Sequence, residues 1–151
     1  MEFAEYITGF TDGEGTFSVS FSQCSKLNTN IEVRPSFSIS QHKRSKEILF
    51  QIRNFFGVGG IRFSKKDQNY KYEVRAINDL MKVIIPHFKK YPLMTKKKQD
   101  FEIFVDICKM ISANLHLNSK YVVEIIEKAY LMNVSGKRKY SKNKLLSLVI
   151  R

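Results

Sequence analysis

The sequence predicts an α+β fold in the element order αββαββα, followed by further helices. Three observations predict it. Four short runs alternate apolar with hydrogen-bonding residues, the signature of half-buried strands. Turn chemistry joins these runs pairwise into two hairpins. Apolar residues at helical spacing come before, between and after the pairs. Such an order places four antiparallel strands in one sheet and lets helices cover only one of its faces.

The first helix is expected from Phe3 to Asp12, closed by Gly13 and Gly15 as residues typical of chain reversals. From Thr16 to Ser22, Phe17, Val19 and Phe21 face one way and Thr16, Ser18, Ser20 and Ser22 the other. Ile31, Val33, Phe37 and Ile39 then oppose Glu32, Arg34, Ser36, Ser38 and Ser40, with the polar segment Lys26 to Asn30 as the hairpin turn. An amphipathic helix is expected over Ser45 to Phe56, with Ile48, Ile52, Phe55 and Phe56 inward and Gly57 as its stop. Ile61 and Phe63 oppose Arg62 and Ser64. After the turn signal Asp67-Gln68-Asn69, Tyr70, Tyr72 and Val74 oppose Lys71, Glu73 and Arg75. Helices are expected over Asn78 to Phe88 despite Pro86, over Thr95 to Ile111, over Tyr121 to Met132, and from Ser141 into Leu145 and Leu148.

The open sheet face is then lined almost entirely by hydrogen-bonding side chains, which suits either an ordinary solvated surface or a binding surface. Charge favours the second. The chain has 26 Lys and Arg against 14 Asp and Glu, a net +12, so its natural partner is a polyanion, and nucleic acid is the commonest large one. The basic residues are spread over strands, loops and helix starts rather than along one lipid-seeking helix, which argues against a membrane partner. No apolar run approaches the roughly 20 residues needed to span a bilayer. Residues 1–12 carry Glu2, Glu5 and Asp12 where a signal peptide would be basic, so an intracellular protein is expected, with one domain over residues 1–151. Cys24 and Cys108 lack any metal-ligand spacing and read as ordinary thiols; His42, His87 and His116 share no spacing and receive no catalytic role.

The segment Tyr6-Ile7-Thr8-Gly9-Phe10-Thr11-Asp12-Gly13-Glu14-Gly15 resembles the LAGLIDADG motif, with the family's acidic residue on Glu14. Gly57-Val58-Gly59-Gly60, the stretch from Tyr91 through Pro92, Leu93, Met94, Thr95 and Lys96 to Lys97, and Gly136-Lys137-Arg138-Lys139-Tyr140-Ser141 also look like segments of that family, so the resemblance covers essentially the whole chain. It implies the LAGLIDADG homing-endonuclease fold, with a four-stranded antiparallel DNA-binding sheet and additional C-terminal helices. The motif occurs once, and in the family a single motif implies a symmetric homodimer whose motif helices pack across the dyad. Gly9 and Gly13, four apart on one helix face, allow another helix backbone to approach closely, with Tyr6 and Phe10 flanking that seam.

At the end of the paired helices two Glu14 carboxylates would lie close together and repel unless cations sit between them. Oxygen ligands from Glu14 and the Gly13 carbonyl suit Mg²⁺, or Mn²⁺, with Ca²⁺ expected to bind without promoting the chemistry efficiently. No other small-molecule cofactor is implied. The resemblance places Gln41 as the residue that orients active-site water and Lys96 beside the active site. Lys96, Lys97 and Lys98 fall in an expected first helical turn, where the macrodipole disfavours cations by about 0.3–1 kcal/mol each unless a phosphate is near.

The implied reaction is metal-assisted hydrolysis of phosphodiester bonds on both strands of a long, near-palindromic duplex, in the service of intron or intein homing. Strands of about 10 residues, at roughly 3.4 Å each, span about ten base pairs per half-site. Ser18, Ser20, Ser22, Ser36, Ser38, Ser64 and Lys71 line the expected DNA face. Arg34, Arg62 and Arg75 suit guanine, and Glu32 or Glu73 suits cytosine. Lys66, Lys97, Lys137, Arg138 and Lys139 complete the expected DNA contacts. The alternative is a relative of the same fold that binds without cutting, a DNA-binding regulator or an RNA-splicing maturase; a generic RNA-binding domain lacks support because the strand aromatics fall on the core side. The family is also consistent with encoding and action inside an organelle, chloroplast or mitochondrion.

Overall fold

The first helix, α1 (Phe3–Glu14), runs straight into strand β1 (Gly15–Gln23). Strand β2 (Ile31–His42) returns after a turn closed by three backbone bonds: Leu27 N to Cys24 O, Asn30 N to Leu27 O, and Cys24 N to Asn30 O. A 3₁₀ turn (Lys43–Ser45) leads into α2 (Lys46–Phe56), then β3 (Gly60–Ser64) and β4 (Asn69–Val74) form the second hairpin. Then come α3 (Ile77–Asp79), a π-helical stretch (Leu80–Ile84), α4 (Ile85–Lys90), α5 (Lys97–Ser112), α6 (Ser119–Ala129) and α7 (Lys142–Val149). The computed structural model describes residues 1–133 and 136–149. The strands form one antiparallel sheet in the order β1-β2-β4-β3, as the α+β reading requires.

The chain divides into two compact units, one of Met1–Phe17 with Ser36–Lys98 and the other of Ser18–Pro35 with the chain from Gln99 onward. In the first, Phe37 and Tyr72 on the sheet meet Phe56 of α2 with ring centroids 6.4 Å apart, and Phe37 meets Phe88 of α4 at 5.4 Å. All four rings are buried, so α2 and α4 cover that face of the sheet by aromatic packing. In the second unit Phe21 of β1 packs against Tyr130, 6.4 Å between centroids, and α6 packs on α7 with Val122, Ile125 and Ile126 of the one and Leu145 of the other buried. Among the described residues no helix is long and apolar enough to cross a membrane.

Four expectations need correction. Gly13 does not close α1; it is helical, and the helix ends at Glu14. Gly15 follows with φ −88°, an ordinary conformation, and is a glycine because a Cβ there would lie 2.6 Å from the Cγ2 of Thr11. Phe55, expected inward, is 46% exposed, and Leu49, a turn before Ile52 and Phe56, completes the core face of that helix instead. The Asn78–Phe88 helix spans a longer, three-part path with a π segment just before Pro86, whose missing N–H cannot continue an α-helical ladder. The helix expected from Thr95 starts at Lys97.

Candidate functional site

The end of α1 is held by residues about eighty positions away in sequence. Asp12 accepts hydrogen bonds from the Met94 amide (2.9 Å), the Thr95 amide (3.1 Å) and the Thr95 hydroxyl (2.7 Å). Partial burial works against ionisation of Asp12, but these bonds and the charge of Lys97 together outweigh it and lower its pKa below 3.8. In return, the Lys97 ammonium donates to the carbonyls of Thr11 (2.9 Å) and Asp12 (3.2 Å). α1 has no basic residue of its own in its last turn, so Lys97 satisfies carbonyls left without intrahelical partners and sits at the negative end of the helix dipole.

Lys97, expected among the DNA contacts, thus serves the C-terminus of another helix in this structure, a tertiary partner that its place in a helical turn with Lys96 and Lys98 does not reveal. Lys96, between Thr95 and Lys97, is exposed, and both of its neighbours are bound to the last turn of α1. Glu14 ends that turn, is exposed, and makes no hydrogen bond or ion pair with any described residue. Gln41 lies near the end of β2, paired in register with Tyr70, and donates to the Ser40 carbonyl at 2.8 Å. The structure therefore ties the Lys96 segment to the Glu14 end of α1, whereas Gln41 stands on the sheet.

One face of α1 is bare. A Cβ at Gly9 or at Gly13 would meet nothing within 4 Å, and both glycines are exposed with no positive φ. Beside them Phe3, Tyr6 and Phe10 form a half-buried ladder of stacked rings, 5.9 and 5.8 Å between successive centroids. Neither intrachain crowding nor backbone conformation explains these glycines, each of which costs the helix about 1 kcal/mol relative to alanine.

Among the described residues no three His, Cys, Asp or Glu side chains converge on a position that could hold a metal ion. One copy of the chain offers the Glu14 carboxylate and the Gly13 carbonyl. Mg²⁺ commonly takes one or two carboxylates and keeps its waters, so these two oxygens suit that ion without forming a closed cage.

On the sheet of the first unit, Arg62 pairs across the strands with Lys71, and Ser38 pairs with Glu73. Glu73 is the hub: Lys71 lies 3.5 Å away and Arg62 and Arg75 each 3.7 Å away. The two arginines keep 65% and 63% of their side-chain surface exposed. Ser36 is half-buried, and Ser64 and Lys66 are exposed, but Ser38, expected on the open face, is buried, because a serine opposite Glu73 on an inner strand is overshadowed by longer neighbours. In the second unit, Arg34 forms a 3.0 Å ion pair with Glu32, which also accepts from Ser22. Ser20 donates to the Arg34 carbonyl, and Ser18 is half-buried on the same alternation.

Arg138, also expected among the DNA contacts, has partners within the protein. Its guanidinium donates to the carbonyls of Val19 (2.9 Å) and Ala129 (2.6 Å) and lies over the Tyr130 ring, 4.5 Å from its centroid. Burial lowers its pKa, but this arginine spends its donors on the protein's own backbone. Lys137 and Lys139 on either side are exposed. Sequence reasoning missed the Asp12 clamp, although the motif contains that residue, because its partners are far away in the chain.

The LAGLIDADG endonuclease family model matches residues 7–108. A probable intron-encoded endonuclease of Neurospora crassa is 32% identical over 129 residues, which is 85% of this chain and 28% of that protein. The chain spans from 25% to 47% of the length of the first three curated relatives that it matches. Among solved structures, the homing endonuclease I-TnaI has a TM-score of 0.84 and 34% identity, over 96% of this chain and 94% of that one. An archaeal intron-encoded homing endonuclease complexed with DNA, I-Vdi141I, has a TM-score of 0.88 and 30% identity, over 97% and 93%.

Proposed function

Because the chain belongs to the LAGLIDADG endonuclease family, we propose that it is a site-specific DNA endonuclease, acting as one domain over residues 1–151 and working as a homodimer. It hydrolyses phosphodiester bonds on both strands of a long, near-palindromic duplex and so promotes homing of an intron or intein. The observation that carries this reading is the end of α1: two exposed glycines that the chain's own packing does not explain, on the helix that ends in an exposed, unpartnered Glu14. A second copy packed along Gly9 and Gly13 explains the glycines and brings a second Glu14 to the first.

In this reading Glu14 and the Gly13 carbonyl of each copy hold a divalent cation, Mg²⁺ or Mn²⁺. When bound, that cation supplies charge neutralisation at the scissile phosphate and promotes hydrolysis. Gln41 orients the attacking water, and the Lys96 ammonium favours the charge that builds on phosphate oxygen. Arg34 leaves Glu32, an exposed pair worth about 0–1 kcal/mol, and Arg62 and Arg75 leave Glu73, which keeps Lys71 as a partner, to meet base edges or phosphates.

Cleavage of a randomised duplex library in Mg²⁺ against EDTA tests the activity, and sedimentation with and without the selected duplex tests the dimer. The reading expects Mg²⁺-dependent double-strand cuts at one family of sites by a dimer. A protein that binds duplex specifically but never cuts would instead be a DNA-binding regulator, and one that retains only intron RNA a maturase.

A further inference from the structure

Phe50 of α2, Phe63 of β3 and Tyr70 of β4 form an aromatic cluster that the core does not absorb. The Tyr70 ring lies 4.8 Å from that of Phe63 and 6.2 Å from that of Phe50 between centroids, and Phe50 and Phe63 are 44% and 40% exposed. Phe63 and Tyr70 are cross-strand partners on the side that alternation turns toward the helices, where Tyr72 is fully buried against Phe56. α2 covers that side with Leu49, Ile52 and Phe56, but beside Tyr70 it presents Phe50, which leaves the rings open to solvent. A cross-strand aromatic pair stabilises a hairpin, whereas phenylalanine is a poorer helix former than the lysine or glutamate usual at exposed positions. Three touching rings from three elements make an apolar patch of the kind that marks an interaction site.

The chemistry beside the rings is cationic. The Lys46 ammonium stands 5.5 Å from the Tyr70 ring centroid. The stretches that carry the rings, residues 43–50 and 63–70, hold Lys43, Arg44, Lys46, Lys65 and Lys66 against Glu47 and Asp67, and Asp67 is engaged in the turn, where it accepts from the Asn69 amide at 3.1 Å. The ion pairs of the described residues all lie elsewhere, so these five cations have no acid partner, unlike Arg34, Arg62, Lys71 and Arg75 of the open face. Lys43 instead donates to the Gln68 side chain at 3.2 Å, tying the entry of α2 to the hairpin turn. Exposed rings among unpaired cations fit a polyanion whose flat groups are free to stack, which is nucleic acid with unpaired bases. A duplex keeps its bases stacked inside and offers such a patch only phosphates. RNA is the principal carrier of unpaired bases in a cell, and aromatic stacking is a common way of holding them.

We propose that Phe50, Phe63 and Tyr70, together with Lys46, form a docking surface for single-stranded RNA, an activity beyond the endonuclease reading that stands whether or not the protein cuts DNA. Unpaired bases stack on the exposed rings while Lys46 meets the backbone phosphate. Arg62 and Lys71, each one residue from a ring of the cluster and partners in register, point by alternation to the other face of the sheet. RNA and duplex therefore occupy opposite faces of one hairpin without competing.

The test titrates the full chain against a short oligoribonucleotide carrying a fluorescent adenine analogue, whose emission falls when it stacks, with and without an equimolar duplex. Expected are quenched emission on binding, RNA retained in the presence of duplex, and an affinity about tenfold weaker in Phe50→Ala and in Phe63→Leu. Phe63→Leu keeps an apolar side chain on the strand and guards against a folding failure of the first variant. Lys46→Gln should flatten the dependence of log affinity for RNA on log salt by about 0.7, and duplex affinity should be unchanged in all three. RNA binding that the three variants leave intact, or that duplex displaces, would put RNA on the open basic face and overturn the surface, as would a wild-type protein that does not bind the probe. A deoxyoligonucleotide of the same sequence bound as tightly would overturn RNA as the occupant. Altered sedimentation of RNA-free Phe50→Ala would make the rings a contact between two copies and overturn the surface as well.

Discussion

Glu14 is exposed at the end of α1 and has no partner among the described residues, so its neutral, nearly isosteric replacement disturbs nothing that the fold uses. Glu14→Gln should abolish double-strand cleavage in Mg²⁺ while changing stability by no more than about 0.5 kcal/mol, the range for an uninvolved surface position. Cleavage at the wild-type rate would remove Glu14 from the site. His87 is the opposite kind of residue. It is buried, with Phe55, Phe56, Phe88 and Tyr91 around its ring and its Nε2 3.2 Å from the Thr8 hydroxyl, which itself donates to Tyr91 O. That hydroxyl can only accept from the ring, so Nε2 carries the proton of a neutral imidazole. Burial holds its pKa at about 4, below the ordinary 6.5. Between these values the unfolded chain binds a proton that the folded one refuses, so stability from His87 is present above pH 6.5 and is lost progressively toward pH 4. Thermal unfolding from pH 7 to pH 4 should show this fall, shallower in His87→Gln; an equal slope in both proteins would assign it elsewhere. At this scale the motif segments single out Glu14 and Lys96, both of which the structure leaves exposed. The sequence could not display the occupied cations Lys97 and Arg138 or the clamp at Asp12, since their partners are set by tertiary packing.

Elements were legible where side-chain periodicity decides them. β1 and β2 keep the expected alternation, with Phe17, Val19, Phe21, Ile31, Val33, Phe37 and Ile39 all buried, because a pleated strand against a covered face leaves no other arrangement. Helix ends were less legible, since they depend on what lies nearby: Gly13 remains helical, and Lys97 rather than Thr95 begins α5. The glycines separate into kinds that composition cannot distinguish. Gly59 has φ +88°, and a Cβ there would lie 2.8 Å from the Glu73 carbonyl, so Gly59→Ala should cost more than about 1 kcal/mol in denaturant unfolding. Gly9 has open space around it, so Gly9→Leu should leave the monomer as stable as before, or more stable, since leucine favours helix. It should nonetheless abolish the dimer in sedimentation and cleavage with it. An active Gly9→Leu dimer would put the seam on another face of the protein.

At the scale of the whole molecule, the endonuclease reading has the net charge of +12 set duplex affinity and its response to salt, but the cations do not contribute alike. A cation that meets phosphate releases counterions and steepens the dependence of log affinity on log salt by about 0.9. One already committed to the protein's own carbonyls cannot do so without breaking those bonds. Arg138 and Lys139 are neighbours in sequence and differ in this respect: Arg138 is bound to the carbonyls of Val19 and Ala129, whereas Lys139 is exposed. Arg138→Met should therefore lower stability by about 1–3 kcal/mol, from two carbonyls losing their donor, and leave the salt slope of duplex binding unchanged. Lys139→Ala should flatten that slope by about 0.9 if the lysine meets a phosphate, with little change in stability. Arg62 and Arg75 are exposed and only loosely paired with Glu73, and replacing either by alanine should cost about 1–3 kcal/mol of binding and relax preference at one position per half-site. Titrations at several salt concentrations, paired with denaturant unfolding of the same variants, separate the two kinds. If Arg138→Met flattened the slope as Lys139→Ala does, the carbonyl-bound state of Arg138 would not survive DNA binding, and its guanidinium would belong with the DNA-facing cations after all.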